Sequence, residues 1–220
     1  SVGQVTTTDT GDMGPAENLS STAGGTFTLG SGGIDVAGGV ALDHDGTVTL
    51  NGNVTTVDDF TSTGAGALTQ AASTTIDVGG LIDWTHDGTV TVNGTVTAVG
   101  SFSSGGTGNF TLNNGASLSA DGVILTHDGT VSISGMVDSS GLFSSTGDGT
   151  FSLTSTGDLM ADGAVTIDQG GTVTLASDVT GASIDIQSDS NSANAVLSSG
   201  AITLTATTGD LTVTTLGGIN

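Results

Sequence analysis

The chain repeats itself about every 42 residues, and each repeat divides into two halves of about 21. "HDGTV" occurs at His44–Val48, His86–Val90 and His127–Val131, and a worn copy, "IDQGGTV", puts Gln169 at the next expected histidine position. Phe60, Phe102 and Phe143 recur at the same interval, and Ile184 continues them. Phe27, Val48, Leu68, Val90, Phe110, Val131, Phe151 and Val173 mark the shorter unit, with steps of 20 to 22 residues. A fixed period of this length is the mark of a stacked repeat architecture.

Each unit of about 21 residues holds three short apolar runs, such as "TFTL", "GIDVAG" and "VALD", separated by Gly-rich corners. Apolar residues alternate with Thr, Ser or Asp, which is the period of a strand with one buried face. A single coil of such strands cannot bury its apolar face, whereas coil stacked on coil can. The pattern predicts an all-β parallel β-helix (β-solenoid) with three faces, about 21 residues per coil and about nine coils, paired as 42-residue repeats. At the usual strand spacing the rod is about 43 Å long. No 3.6-residue apolar stripe supports a helix, and glycine interrupts at every corner.

The same alignment names the core. Phe27 to Val173 form one inward column, with Leu29, Leu50, Val92, Leu112, Ile133, Leu153 and Leu175 beside it. Val40, Ile82, Val123 and Val165 form another at every second coil, accompanied by Leu42, Trp84, Leu125 and Ile167. Trp84, the lone tryptophan, reads either as a bulge in the core or as an exposed platform for a sugar ring.

Two domains follow: a non-repetitive stretch, 1–23, serving as cap, linker or arm, and a β-solenoid from 24 to 220. The first stretch holds the only proline and the only glutamate, Pro15 and Glu17. The chain has no initiator Met and no basic signal peptide, so its N-terminus reads as processed or excised. At the other end the pattern runs on to Ile219 without a polar cap, which suggests either a longer chain or head-to-tail stacking.

Charge narrows the partners. There is no Lys or Arg, and 22 acids give a formal charge of −22. Nothing neutralises a phosphate, so nucleic acid and anionic membrane surfaces are excluded as partners. No apolar run is long enough to span a membrane. Cysteine is absent, so there is no disulfide framework and no thiolate metal site. A chain without Lys or Arg offers trypsin-like proteases nothing to cut, which points to an extracellular setting.

The stretch "GAITLTATTGDLTVTTLGGI" (Gly200–Ile219), with "GTVTLNGNVTT" and "GTVTLASDVTGASIDI", resembles the repeats of filamentous haemagglutinin-type adhesins and autotransporter passengers. The likeness covers about Gly24 to Asn220. It implies a right-handed parallel β-helix, secreted or surface-anchored in a bacterium, serving adhesion or forming filaments. The secretion domain and β-barrel translocator of that family are not recognisable in this chain.

The chemical readings are thin. Equivalent histidines two coils apart are separated by about 9.6 Å, too far to share one zinc ion, and Gly64 and Gly106 occupy the aligned positions between them. Asp45, Asp87 and Asp128 each precede Gly, a preferred turn pair, so the motif reads as a corner and the metal set as empty. "GGTGNF" (Gly105–Phe110) comes nearest to a calcium nonapeptide but has Phe where Asp is required. Loosely held divalent cations such as calcium remain compatible with the charge. Asp58–Asp59 is the only adjacent carboxylate pair, and histidines repeated every second coil do not make a unique triad. The expectation is no enzyme, with no catalytic residue and no cofactor.

One face stands out. Its outward positions include Thr26, Thr28, Thr47, Thr49, Thr69, Thr89, Thr91, Thr111, Thr130, Thr150, Thr172 and Thr174, and sixteen such positions in succession carry no charge. β propensity and cross-coil Thr pairing account for this, and so does a contact surface for another rod, a surface glycan or ice. The sequence therefore predicts a self-associating extracellular structural protein, a segment of a surface filament or adhesin stalk, with a glycan- or ice-binding module as the alternative.

Overall fold

The computed structural model describes residues 5–7, 18–190 and 195–219, of which 5–7 are placed as backbone only. Every regular element among them is a strand of three to five residues. The strands form three parallel sheets of ten, nine and ten members, and the chain visits the sheets in turn, giving about nine coils. This is the β-solenoid that the 21-residue unit requires.

Register follows the sequence alignment residue by residue. In the first sheet Phe27 pairs with Val48, Val48 with Leu68, Val90 with Phe110 and Phe151 with Val173. Both members of each inward pair in this sheet, Phe27 and Leu29 through Val173 and Leu175, are buried. The Asp-Gly corners carry the ladder between sheets: Gly46 N–H donates to Gly25 O at 3.1 Å and Gly88 N–H to Gly66 O at 3.3 Å. Backbone groups at the corners thus find partners in the neighbouring coil, as buried polar backbone must.

The third sheet explains why the period is two coils and not one. One kind of coil turns Phe-Ser-Gly inward: Phe60, Ser62 and Gly64, then Phe102, Ser104 and Gly106, then Phe143, Ser145 and Gly147. The other turns in an aliphatic residue, a large residue and His or Gln: Val40, Leu42 and His44; Ile82, Trp84 and His86; Val123, Leu125 and His127; Val165, Ile167 and Gln169. Trp84 lies opposite Ser62 on one side and Ser104 on the other, and His86 lies opposite Gly64. Strands in register sit about 4.8 Å apart; aliphatic and Phe side chains stack directly at that spacing, whereas Trp84 and the histidines face Ser or Gly on the adjoining strands. In these two columns large alternates with small, which keeps density near that of a packed interior.

Trp84 is fully buried, which overturns the sugar-platform reading. Its ring meets Phe60 at 5.6 Å and Phe102 at 5.2 Å, both edge to face. The indole Nε1 has no hydrogen-bond partner. Trp84→Ala is expected to cost about 3–5 kcal/mol through cavity formation. Trp84→Phe removes the orphan donor along with some ring volume and should cost at most about 1 kcal/mol. Urea titration of both variants checks the difference.

At the N-terminal side the solenoid reaches further than the sequence boundary at residue 24. Leu19–Ala23 pairs along its full length with Val40–His44, and Val5–Thr7 pairs with Phe27–Leu29. Leu19, Ser21 and Ala23 reproduce the Phe-Ser-Gly coil with substitutions that keep the size order, a likeness that the absent Phe conceals. Pro15 and Glu17 lie outside the described residues.

Candidate functional site

The three histidines end strands of the third sheet, on its inward side, and all are fully buried. Alternation puts residues one, three and five of each strand inward, so His44, His86 and His127 enter the core while Asp45, Asp87 and Asp128 stay exposed at the corner. Each imidazole is held by two groups. Nε2 lies 2.9 Å from a serine Oγ, that of Ser21, Ser62 or Ser104. Nδ1 lies 3.3, 3.1 or 3.2 Å from the carbonyl oxygen of Gly25, Gly66 or Gly108. A carbonyl only accepts, so Nδ1 carries the proton and donates. The serine hydroxyl then donates to the Nε2 lone pair, and the neutral ring is satisfied at both nitrogens.

Burial pushes the pKa of His86 and His127 below the usual imidazole value, with the Gly66 or Gly108 carbonyl and the Asp87 or Asp128 charge opposing it. In the fourth copy Gln169 Nε2 donates to Ser145 Oγ at 3.1 Å, in the same buried place. The serine partners are what sequence reading missed. Their signal is present, since Ser62, Ser104 and Ser145 recur with the phenylalanines, but it is hidden in a serine-rich background.

This arrangement does not present a nucleophile. Ser62, Ser104 and all three histidines are sealed in the core, Ser21 is half-buried, and a carbonyl stands where a triad would have a carboxylate. Nor does it gather a metal: among the described residues no group of three or more His, Cys, Asp or Glu side chains converges. The Asp58–Asp59 pair lies at the corner between the second and third sheets. There Asp59 Oδ1 accepts the Leu81 N–H at 2.8 Å, and Thr56 Oγ1 donates to Asp58 O at 2.6 Å. The pair holds a corner in shape.

The threonine face is where the sequence placed it, on the outer side of the first sheet. Thr28, Thr49, Thr69, Thr91, Thr111 and Thr174 stand mid-strand, each flanked by two buried residues. Each of these strands is only three residues long, so it offers one outward side chain. Thr26, Thr47, Thr89 and Thr172 come from the corner just before it, and Thr130 and Thr150 open slightly longer strands. The two columns run in register: Thr28 pairs with Thr49, and Thr130 with Thr150, whose hydroxyl oxygens lie 3.0 Å apart.

Acids occupy the remaining surfaces. Exposed Asp35, Asp77, Asp138 and Asp158 stand on the second sheet, and Asp43, Asp83 and Asp168 on the third. The corner between first and second sheets carries no acid before Asp178. A neutral hydroxyl-lined strip of eight coils thus runs along a rod of formal charge −22. Comparison with protein-family models, curated proteins and solved structures finds no match, and what the fold establishes is a β-helical repeat protein.

Proposed function

We propose that the chain is a non-enzymatic structural protein, an extracellular β-solenoid segment of a surface filament or adhesin stalk of the filamentous haemagglutinin kind, and that it associates with copies of itself. The observation that carries this reading is the neutral threonine strip on an otherwise acidic rod. Two copies of formal charge −22 repel wherever their acidic sides meet. Side-by-side contact through the neutral strip removes the least hydration from charge. The repeating coil also suits a stalk, because each coil added extends the same core and adds its own interface.

The test is association measured by sedimentation and negative-stain imaging. Thr89→Asp with Thr91→Asp places two charges in the middle of the strip, and Thr61→Asp adds one to the already acidic third sheet. The double variant should lose association by at least about tenfold, a coupling of about 1.4 kcal/mol, while Thr61→Asp stays near the wild type. Wild type that remains monomeric at high concentration and high salt would defeat the reading, as would a double variant that assembles normally.

A second reading is favoured by the in-register hydroxyls: a module binding ice or a neutral glycan on the same strip. Hydroxyls repeat at about 4.8 Å across strands and about 6.6 Å along them. Thermal hysteresis or glycan-array binding, abolished by the same double variant without any change in association state, would favour this module over the filament.

A further inference from the structure

We propose that Asn114 is a site of spontaneous backbone-assisted deamidation, selected by the fold from three Asn-Gly pairs. Those pairs are Asn51–Gly52, Asn93–Gly94 and Asn114–Gly115, all at the corner between the first and second sheets. In this reaction the backbone nitrogen of the glycine attacks the asparagine Cγ. The new N–Cγ bond closes a five-membered succinimide, the Cγ–Nδ2 bond breaks, and ammonia leaves. Water then adds to either ring carbonyl and opens the ring, giving aspartate or isoaspartate. The balance is amide plus water to carboxylic acid plus ammonia, with nothing oxidised or reduced. The step needs a backbone nitrogen free of other bonds and a side chain free to swing onto it.

The three corners differ on both counts. Asn93 is tied: its Nδ2 donates to Gln70 O at 2.7 Å and its Oδ1 accepts from Asn113 Nδ2. The nucleophile there is also engaged, since Gly94 N–H donates to Gln70 Oε1 at 3.3 Å. Gly52 is buried, and even a methyl group on it would collide with the backbone of Gly30 and Gly33. Its neighbours are pinned as well, with Asn51 N–H on Leu29 O and Asn53 O accepting from Ile34 N–H.

Asn114 and Gly115 are both exposed and form the tip of a turn closed by Ala116 N–H on Asn113 O at 3.0 Å. Gly115 has a φ of +82°, and no atom lies within 4 Å of where its Cβ would be. The positive φ belongs to the third position of a type II turn. Such a tip can change its backbone angles without breaking a coil-to-coil bond. The tip also borders an open polar groove of about 330 Å³ lined in part by Ser73, Thr75, Asn93 and Thr95, which leaves water free access. The product places a carboxylate beside the neutral strip, at a corner that has no acid before Asp178. Any effect of that charge on assembly rests on the proposed function, whereas the chemistry does not.

The experiment is incubation of the folded chain at pH 8 and 37 °C in ¹⁸O-water, with intact mass and fragment-ion localisation over time. The same incubation in urea is the reference. Folded protein should gain mass and one ¹⁸O atom at Asn114 at least about tenfold faster than at Asn51 or Asn93, because local packing sets the rate of opening. In urea the three rates should converge, and Asn114→Gln should abolish the early gain in folded protein. Equal rates at the three sites in folded protein, a faster gain at Asn51 or Asn93, or no gain at Asn114 would overturn the proposal. A double variant Thr89→Asp with Thr91→Asp that no longer associates but still deamidates at Asn114 separates this chemistry from the assembly reading.

Discussion

Gly106→Ala should destabilise the solenoid by at least about 4 kcal/mol, among the largest effects of any single methyl group in the molecule. The added Cβ would fall on the carbonyl oxygen of His86, a backbone atom fixed by the neighbouring coil. The native φ of +135° lies in a region that residues with a Cβ rarely adopt. Gly64 and Gly147 stand in the same relation to the carbonyl oxygens of His44 and His127, so Gly64→Ala should be comparably severe. Gly24→Ala is the control. Its Cβ would meet only Asp45 Oδ2 at an ordinary 3.7 Å, and its cost should stay within about 0.5 kcal/mol. Urea denaturation followed by far-ultraviolet circular dichroism reads all three. A Gly106→Ala midpoint close to that of Gly24→Ala would show that the coils can separate to admit a side chain.

Mild acid should weaken the wild-type solenoid through its buried histidines. Burial lowers the folded-state pKa of His86 and His127 below the 6.5 of the free side chain. Between the two values the unfolded chain binds more protons than the folded one. The stability these residues contribute as neutral rings is therefore complete above about pH 6.5 and is lost as pH falls from there toward their folded pKa. The strands flanking them, Phe60–Gly64, Phe102–Gly106 and Phe143–Gly147, hold no ionisable side chain. The Gly66 and Gly108 carbonyls, and after them Asp87 and Asp128, temper the effect.

The variant His86→Gln with His127→Gln should fold, because Gln169 already fills the same buried position against Ser145. Between pH 7 and pH 5 the wild type should lose stability relative to this variant, with a difference in slope of up to about two protons per molecule. Parallel losses in variant and wild type would place the acid sensitivity elsewhere. The experiment also measures what the Ser–His pairs contribute that a Ser–Gln pair does not.

The period, the three strands per coil and the inward columns are all legible in the sequence, because each is a one-dimensional property. Side chains alternate along a strand, and a constant step between equivalent residues forces equivalent residues to stack. Thr28, Thr49 and Thr91 are placed outward by that rule alone, without reference to any contact. Trp84 is the limiting case. Its parity says inward, but its burial depends on Ser62 and Ser104 making room in the adjoining coils.

The role of the histidine needed the tertiary structure. Its partners lie 19 to 24 residues away on the preceding coil, and corners of varying length must be traversed before the ring and the serine face each other. Which of several serines turns inward, and at which height, is settled only when the register of all three sheets closes around one core. The same holds for the three Asn-Gly pairs, identical as sequence. Whether the glycine nitrogen is bonded, buried or free is decided by the neighbouring coil. The repeat by itself determines that this chain winds and which side chains it turns in. Packing between coils, which sets Trp84 and the histidines against serine and glycine of the adjoining strands, decides what those side chains can do.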